Sequence, residues 1–211
     1  MRSGREKPEH WRDCVGVESR GLDTTRDDQG NVDAKLACVL ETIRTRRVTR
    51  YFKDVAVPRE HIGLVLESAR WAPNGGRRRL NVYIVVQDPQ MLRNVRAVSP
   101  GMLPPPPPAI IVVCLDVGRA EALGFRYREH ASAYVDIGTA VQNMLLTAHA
   151  LGLGAGPVMS FHRQAVQLLL DLPETIVPEV IVKLGEPAQA REVKVPSINV
   201  NKFTHWERYG G

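Results

Sequence analysis

Residues 134–153 limit what this chain can fold into more than any other stretch. Ile137, Ala140, Val141, Met144, Leu145, Leu146, Ala148 and Leu151 surround most of the circumference of the helix that their spacing predicts. A helix that is apolar on nearly every side must be covered on nearly every side. In a chain of 211 residues this makes it a central core helix, and one able to meet its own copy in a dimer. Gly152 and Gly154 are expected to end it.

The remaining pattern arranges itself around that helix. Asn31 or Asp33 caps a helix whose stripe is Ala34, Leu36, Ala37, Leu40 and Ile43. Pro58 opens a second helix carrying Ile62, Leu64, Val65, Leu66 and Ala69, which stops before Pro73 and the turn Asn74-Gly75-Gly76. Residues 82–86 read as a strand and 89–98 as a short helix. The five prolines at 104–108 cannot enter a helix or a sheet interior, so they form a stiff lead-in to a strand over 109–115. Ser160 is placed as the N-cap of a helix reaching Leu170, and 178–184 is the last strand. Helices mixed with a few strands put the chain in the α+β class. Residues 1–30 lack periodicity and are expected to be a mobile leader, with 31–211 forming the folded domain. The tail from 195 carries Phe203, Trp206 and Tyr209 and is expected to lie as an arm on a hydrophobic surface, such as that of a partner subunit.

Charge narrows the ligand. The net charge is +5, yet residues 1–30 hold six basic and seven acidic side chains, so the excess belongs to 31–211. A basic tail gripping DNA is excluded as its source, and no helix-turn-helix pattern accompanies it, so nucleic acid is not an expected partner. The positive charge gathers at Arg46, Arg47 and Arg50, at Arg77, Arg78 and Arg79, and at Arg191 with Lys194. Guanidinium groups suit a phosphate. Helix C-terminal charges and a solvated basic loop account for the same residues equally well.

Other chemistries lack residues to carry them. Cys14, Cys38 and Cys114 are too far apart for a zinc knuckle or redox pair and suit a reducing cytoplasm. The six histidines show no metal-ligand spacing, so no metal is expected, and His149 is expected to be a hydrogen-bonded core residue. No Gly-x-Ser-x-Gly elbow occurs. The run Gly152-Leu153-Gly154-Ala155-Gly156 follows a helix, whereas a dinucleotide fingerprint follows a strand. No apolar run is long enough to cross a membrane.

Four blocks, in order, resemble the FMN-dependent nitroreductase family over about four-fifths of the chain. Arg46-Arg47-Val48-Thr49-Arg50-Tyr51-Phe52 is similar to its Arg-Arg-Ser-hydrophobic-Arg-x-Phe opening. Ala72-Pro73-Asn74-Gly75-Gly76 with Arg77, Arg79, Leu80 and Asn81 is similar to Ala-Pro-Ser-x-x-Asn-x-Gln-Pro-Trp. Asp136-Ile137-Gly138 through Gly152-Leu153-Gly154 is similar to the long dimer helix and its exit. Leu172-Pro173-Glu174, Leu184-Gly185-Glu186-Pro187 and His205-Trp206-Glu207-Arg208-Tyr209 are similar to the closing blocks.

The resemblance implies a nitroreductase-like fold: a central mixed sheet flanked by helices, in an intertwined cytoplasmic homodimer with FMN at the interface. It also implies transfer of a hydride from NAD(P)H through flavin N5 to a nitroaromatic or quinone-like small molecule. By resemblance, Arg46, Arg47 and Arg50 contact the phosphate, with Lys194 where the family has an arginine. Pro73, Asn74, Gly75 and Arg77 reach the flavin from the other subunit. Pro157, Val158, Met159 and Ser160 bring backbone amides to the ring near N5. No protein acid or base is required, so no catalytic side chain is named. Val48 stands where the family has a serine, Arg77 where it has asparagine and Arg79 where it has glutamine. Residues 99–103 and 156–161 are also similar to cyclodipeptide oxidase large subunits, which implies a dehydrogenase with a small partner protein as an alternative. The altered second block leaves a non-catalytic flavin-binding or regulatory protein as another.

Overall fold

Strand β2 (Ala109–Asp116) is buried at its first seven positions, which makes it the centre of the molecule. A strand apolar on both faces needs a layer on each. Its neighbours in the computed structural model, which describes residues 34–75, 78–125, 132–189 and 200–210, supply both. The sheet runs β1 (Asn81–Val86), β2, β4 (Ile176–Gly185), β3 (Gly154–Val158). All three pairings between named strands are antiparallel. The resemblance implies a mixed sheet; among the described residues the four named strands are antiparallel throughout, and the parallel contact is an isolated bridge, Val48 to Ala155, on the outer edge of β3.

Ala109, Ile111, Val113 and Leu115 point to one core together with α2 (Arg59–Arg70) and α5 (Ser132–Ala150). Ile110, Val112 and Cys114 point to the other, closed by α3 (Pro89–Ala97), Met102 and α6 (Arg163–Leu169). Burial there pushes the Cys114 thiol up to about 12, with Glu179 adding to the effect. Helix starts follow local chemistry: Pro58 precedes α2, and Asp88 Oδ1 accepts from the Met91 amide at 2.7 Å with Pro89 in the first turn of α3.

Two expectations change, and two elements appear that the pattern does not announce. Helix α5 ends at Ala150, Gly152 takes the left-handed turn at φ +76°, and Gly154 already begins β3. That strand, Gly-Ala-Gly-Pro-Val, has a composition depleted in strand formers, which by itself predicts a turn. Ser160 does not cap α6; His162 holds that position, and the Ser160 carbonyl accepts from the Gly101 amide at 3.1 Å. A short helix α4 (Val117–Ala122) follows β2, capped by Asp116 accepting from the Arg119 amide at 2.8 Å.

A single chain covers only one side of α5. Ile137, Ala140, Val141, Met144 and Ala148 are buried, whereas Tyr134, Val135 and Gly138 face outward, Val135 at 62% exposure. Helix α1 (Ala34–Thr45) buries no residue, and Leu36, Val39 and Ile43 are exposed along it. Phe203, Trp206 and Tyr209 are also exposed, so the arm does not rest on its own chain. Among the described residues no helix is long and apolar enough to cross a membrane. The expected leader, Arg77, Arg191 and Lys194 lie outside the described residues.

Candidate active site

Where α1 runs out, the chain continues along the edge of β3. The Thr49 amide donates to the Ala155 carbonyl at 2.8 Å, Val48 bridges Ala155, and Phe52 bridges Pro187. The glycines opposite permit this approach. A Cβ on Gly154 would stand 2.5 Å from Thr49 Oγ1, and one on Gly156 would stand 2.8 Å from the Thr49 carbonyl oxygen. The glycine run therefore seats the arginine segment, a use of glycine for close backbone contact.

The three arginines of that segment do different things. Arg47 Nη1 donates to the carbonyls of Arg44 (2.5 Å) and Arg46 (2.8 Å), satisfying the exit of α1. Arg46 Nη1 is buried and has no hydrogen-bond partner among the described residues. Arg50 joins Arg47, Thr45, Thr49 and His149 in lining a cleft of about 270 Å³. The expectation of a core histidine is corrected here: His149 is half-buried, lines this cleft, and meets Thr45 Oγ1 at 2.7 Å through Nε2. Burial and then Arg46 hold its imidazole below the usual histidine range, with Glu41 opposing and Arg47 reinforcing the effect. Arg47 and Arg50 on the cleft and Arg46 beside His149 thus bring like charges close together.

Pro73, Asn74 and Gly75 occupy a different place. The Gly75 amide donates to both carboxylate oxygens of Asp136, at 3.0 and 3.1 Å, and Thr139 Oγ1 donates to the Pro73 carbonyl at 3.2 Å. The start of α5 thereby holds the loop beside a cleft of about 400 Å³ that Arg79, Asn81 and Tyr83 also line. Two oxygens of its lining residues, Asn74 Oδ1 and Asn81 Oδ1, are buried without a partner among the described residues. Arg79 sits in the left-handed region at φ +49°. No residue is common to the two clefts. One chain thus separates the predicted phosphate residues from the predicted loop contacts.

The third group lies further along the edge strand. Pro157 and Val158 are in β3, and Val158 sends its side chain into a core, so only its backbone is available to a ligand. Met159 is 74% exposed. At roughly 3.3 Å per residue, Met159 lies about 13 Å beyond Ala155. Segments 99–103 and 156–161 meet: a Cβ on Gly101 would stand 2.9 Å from Val158 Cγ1. Packing alone therefore accounts for that glycine. Thr45 lines a cleft without any signal in the sequence pattern, and Asn81 and Asp136 enter it only as members of the second and third blocks. The only signal for Asp136 is its place at the head of the dimer-helix block; its role as clamp on Gly75 depends on two distant segments meeting.

The family model that matches is that of the nitroreductase family, over residues 43–186. A Methanothermobacter thermautotrophicus protein assigned as an NADH dehydrogenase/NAD(P)H nitroreductase is 34% identical over 166 residues, covering 75% of this chain and 83% of the relative. The FMN reductase (NADPH) of Bacillus subtilis is 27% identical over 193 residues, covering 79% and 77%. Among solved structures, NfrA1 of B. megaterium superimposes with a TM-score of 0.72 at 26% identity, covering 81% of this chain and 74% of the other.

Proposed function

This chain belongs to the nitroreductase family, and on that premise we propose that it is an FMN-dependent NAD(P)H oxidoreductase acting on a small organic acceptor. FMN would supply the redox chemistry, a hydride-accepting N5 between NADH or NADPH and a nitroaromatic or quinone-like molecule. The observation that carries this reading is the buried, unpartnered Arg46 Nη1. A dianionic phosphate supplies the missing acceptor and offsets the repulsion among Arg46, Arg47 and Arg50.

The chain's own residues divide the binding work. Arg46, Arg47 and Arg50, with Lys194, hold the phosphate. Val48 brings no hydroxyl, and the Thr49 amide is already given to Ala155, so cationic side chains carry this end. The backbone of Pro157, Val158, Met159 and Ser160 would border the ring. Pro73, Asn74 and Gly75, with Arg77, would approach from a second copy, and the unpartnered Asn74 Oδ1 would serve there as an acceptor. Orientation and electrostatics are the protein's contribution, and no side-chain acid or base is assigned.

That division requires a homodimer, and three uncovered apolar surfaces favour one: the outer side of α5, the stripe of α1 and the aromatic arm. A Cβ at Gly138 meets nothing within 4 Å in the single chain. Gly138→Leu is therefore expected to leave the fold intact by circular dichroism and to turn a dimer into a monomer by light scattering. A variant that remains dimeric with full flavin content would remove α5 from the interface.

The overall reading is tested by the visible spectrum of the purified protein, before and after FMN, and then with anaerobic NADPH. A flavin band that bleaches is expected. A band that persists with nicotinamide would move the assignment to a dehydrogenase reduced by its own substrate, as in the oxidase-type alternative. A protein that stays colourless with added FMN would overturn the enzyme reading in favour of a non-catalytic protein.

A further inference from the structure

The hydrogen-bond geometry around His149 fixes which of its nitrogens carries a proton. The Thr45 hydroxyl has one hydrogen, and it is donated to the Glu41 carbonyl at 2.7 Å. Toward His149 the hydroxyl is therefore an acceptor, and Nε2 must carry the N–H across the 2.7 Å contact. In the neutral ring this leaves Nδ1 as the nitrogen that can still gain a proton. Among the described residues, the charged groups that act on the ring are Arg46 and Arg47 at the exit of α1, against Glu41 on α1. Arg50 lines the same cleft, and Pro187 and Gln189, which also line it, bring no charge.

We propose that this cleft takes a phosphate monoester, and that His149 takes up one proton at Nδ1 as the phosphate enters. The inference rests on reading the cleft as the phosphate end of the site, but not on the phosphate's belonging to flavin. Without an anion, two guanidinium groups and burial oppose an imidazolium ion, so the ring is neutral near pH 7. A dianion in the cleft against Arg47 and Arg50, with Arg46 acting on the same ring, reverses the local field, and the proton comes from solvent. The sign follows from linkage: the bound form has the higher histidine pKa. Affinity therefore climbs as pH falls through that value, by at most tenfold per pH unit, and levels off below the lower pKa of the free form. His149 thus acts as a further cation beside the arginines, one that is present only when the ligand is.

Sulfate is the probe, because it stays dianionic from pH 5.5 to 8 and contributes no titration of its own. In the full chain freed of flavin, sulfate affinity is expected to rise on acidification across this range. In His149→Gln, whose amide N–H still reaches Thr45, it should stay within about twofold. A pH-independent affinity in the unmodified protein, or a pH dependence that survives the substitution, would overturn the proposal. If the variant does not fold, the histidine pKa read by NMR in the unmodified protein, with and without saturating sulfate, decides the same question: it must rise on binding. Competition identifies the ester. FMN displacing sulfate where riboflavin does not would support a flavin phosphate. NADPH doing so where NADH does not would support the nucleotide 2′-phosphate, and the flavin placement would fall while the histidine linkage stood. Displacement by neither ester would overturn the phosphate site.

Discussion

Arg46→Ala is expected to weaken FMN binding by about 10- to 150-fold. The range follows from about 1.5–3 kcal/mol for a charge-assisted hydrogen bond at tenfold per about 1.4 kcal/mol. The loss should be large because Arg46 Nη1 has no other acceptor among the described residues, so its interaction is available to the ligand. For the same reason the variant should keep its melting temperature: the substitution removes a buried like charge and breaks no hydrogen bond of that nitrogen among the described residues. Quenching of flavin fluorescence on titration measures the affinity. An unchanged dissociation constant would refute the placement. Arg47 offers the contrast, because its Nη1 already serves the carbonyls of Arg44 and Arg46. Its removal should cost stability at the exit of α1 as well as ligand affinity.

Gly156→Ala is expected to lower both stability and flavin affinity. The new methyl would stand 2.8 Å from the Thr49 carbonyl oxygen and 3.0 Å from Val48 Cγ1. The first of these is backbone, so the relief available is displacement of the arginine segment from β3. Overpacking of this kind costs about 1–3 kcal/mol, or about 2–4 °C per kcal/mol in a chain of this size. A displaced segment carries Arg46 and Arg50 with it, so the affinity should fall beyond what the stability loss explains. Gly63→Ala is the control. Nothing lies within 4 Å of a Cβ there, on the exposed side of α2. Replacing a mid-helix glycine should stabilise by about 0.5–1 kcal/mol and leave the arginine segment seated on β3. Equal behaviour of the two variants in thermal unfolding and flavin titration would mean that the glycine run does not seat the arginines.

Much of this fold is legible in the chain because its elements carry periodic or capping signals. The apolar run of β2, the all-round apolar pattern of α5, and the prolines before α2 and in α3 each mark an element without reference to the rest. The elements that escape have no such signal. Strand β3 is built of Gly-Ala-Gly-Pro-Val, and it is a strand because β4 pairs with it and Thr49 bonds to it. Helix α6 starts after His162 rather than after Ser160 because the Ser160 carbonyl is taken by Gly101. Spacing within one segment carries no record of a hydrogen bond made to another.

The candidate site divides in the same way. The identity of its residues, the arginines at 46, 47 and 50, the turn at 73–75 and the exit at 157–160, is a property of the sequence, since charge and motif order are local. What each does is a property of the tertiary structure. Only the packing of the arginine segment on β3 separates Arg47, spent on α1 carbonyls, from Arg46, left with a buried unpartnered nitrogen. Only the meeting of α1 and α5 turns His149 from a core residue into a half-buried ring among like charges. Electrostatic and hydrogen-bond energies depend on distance and burial, and these are set when remote segments pack together.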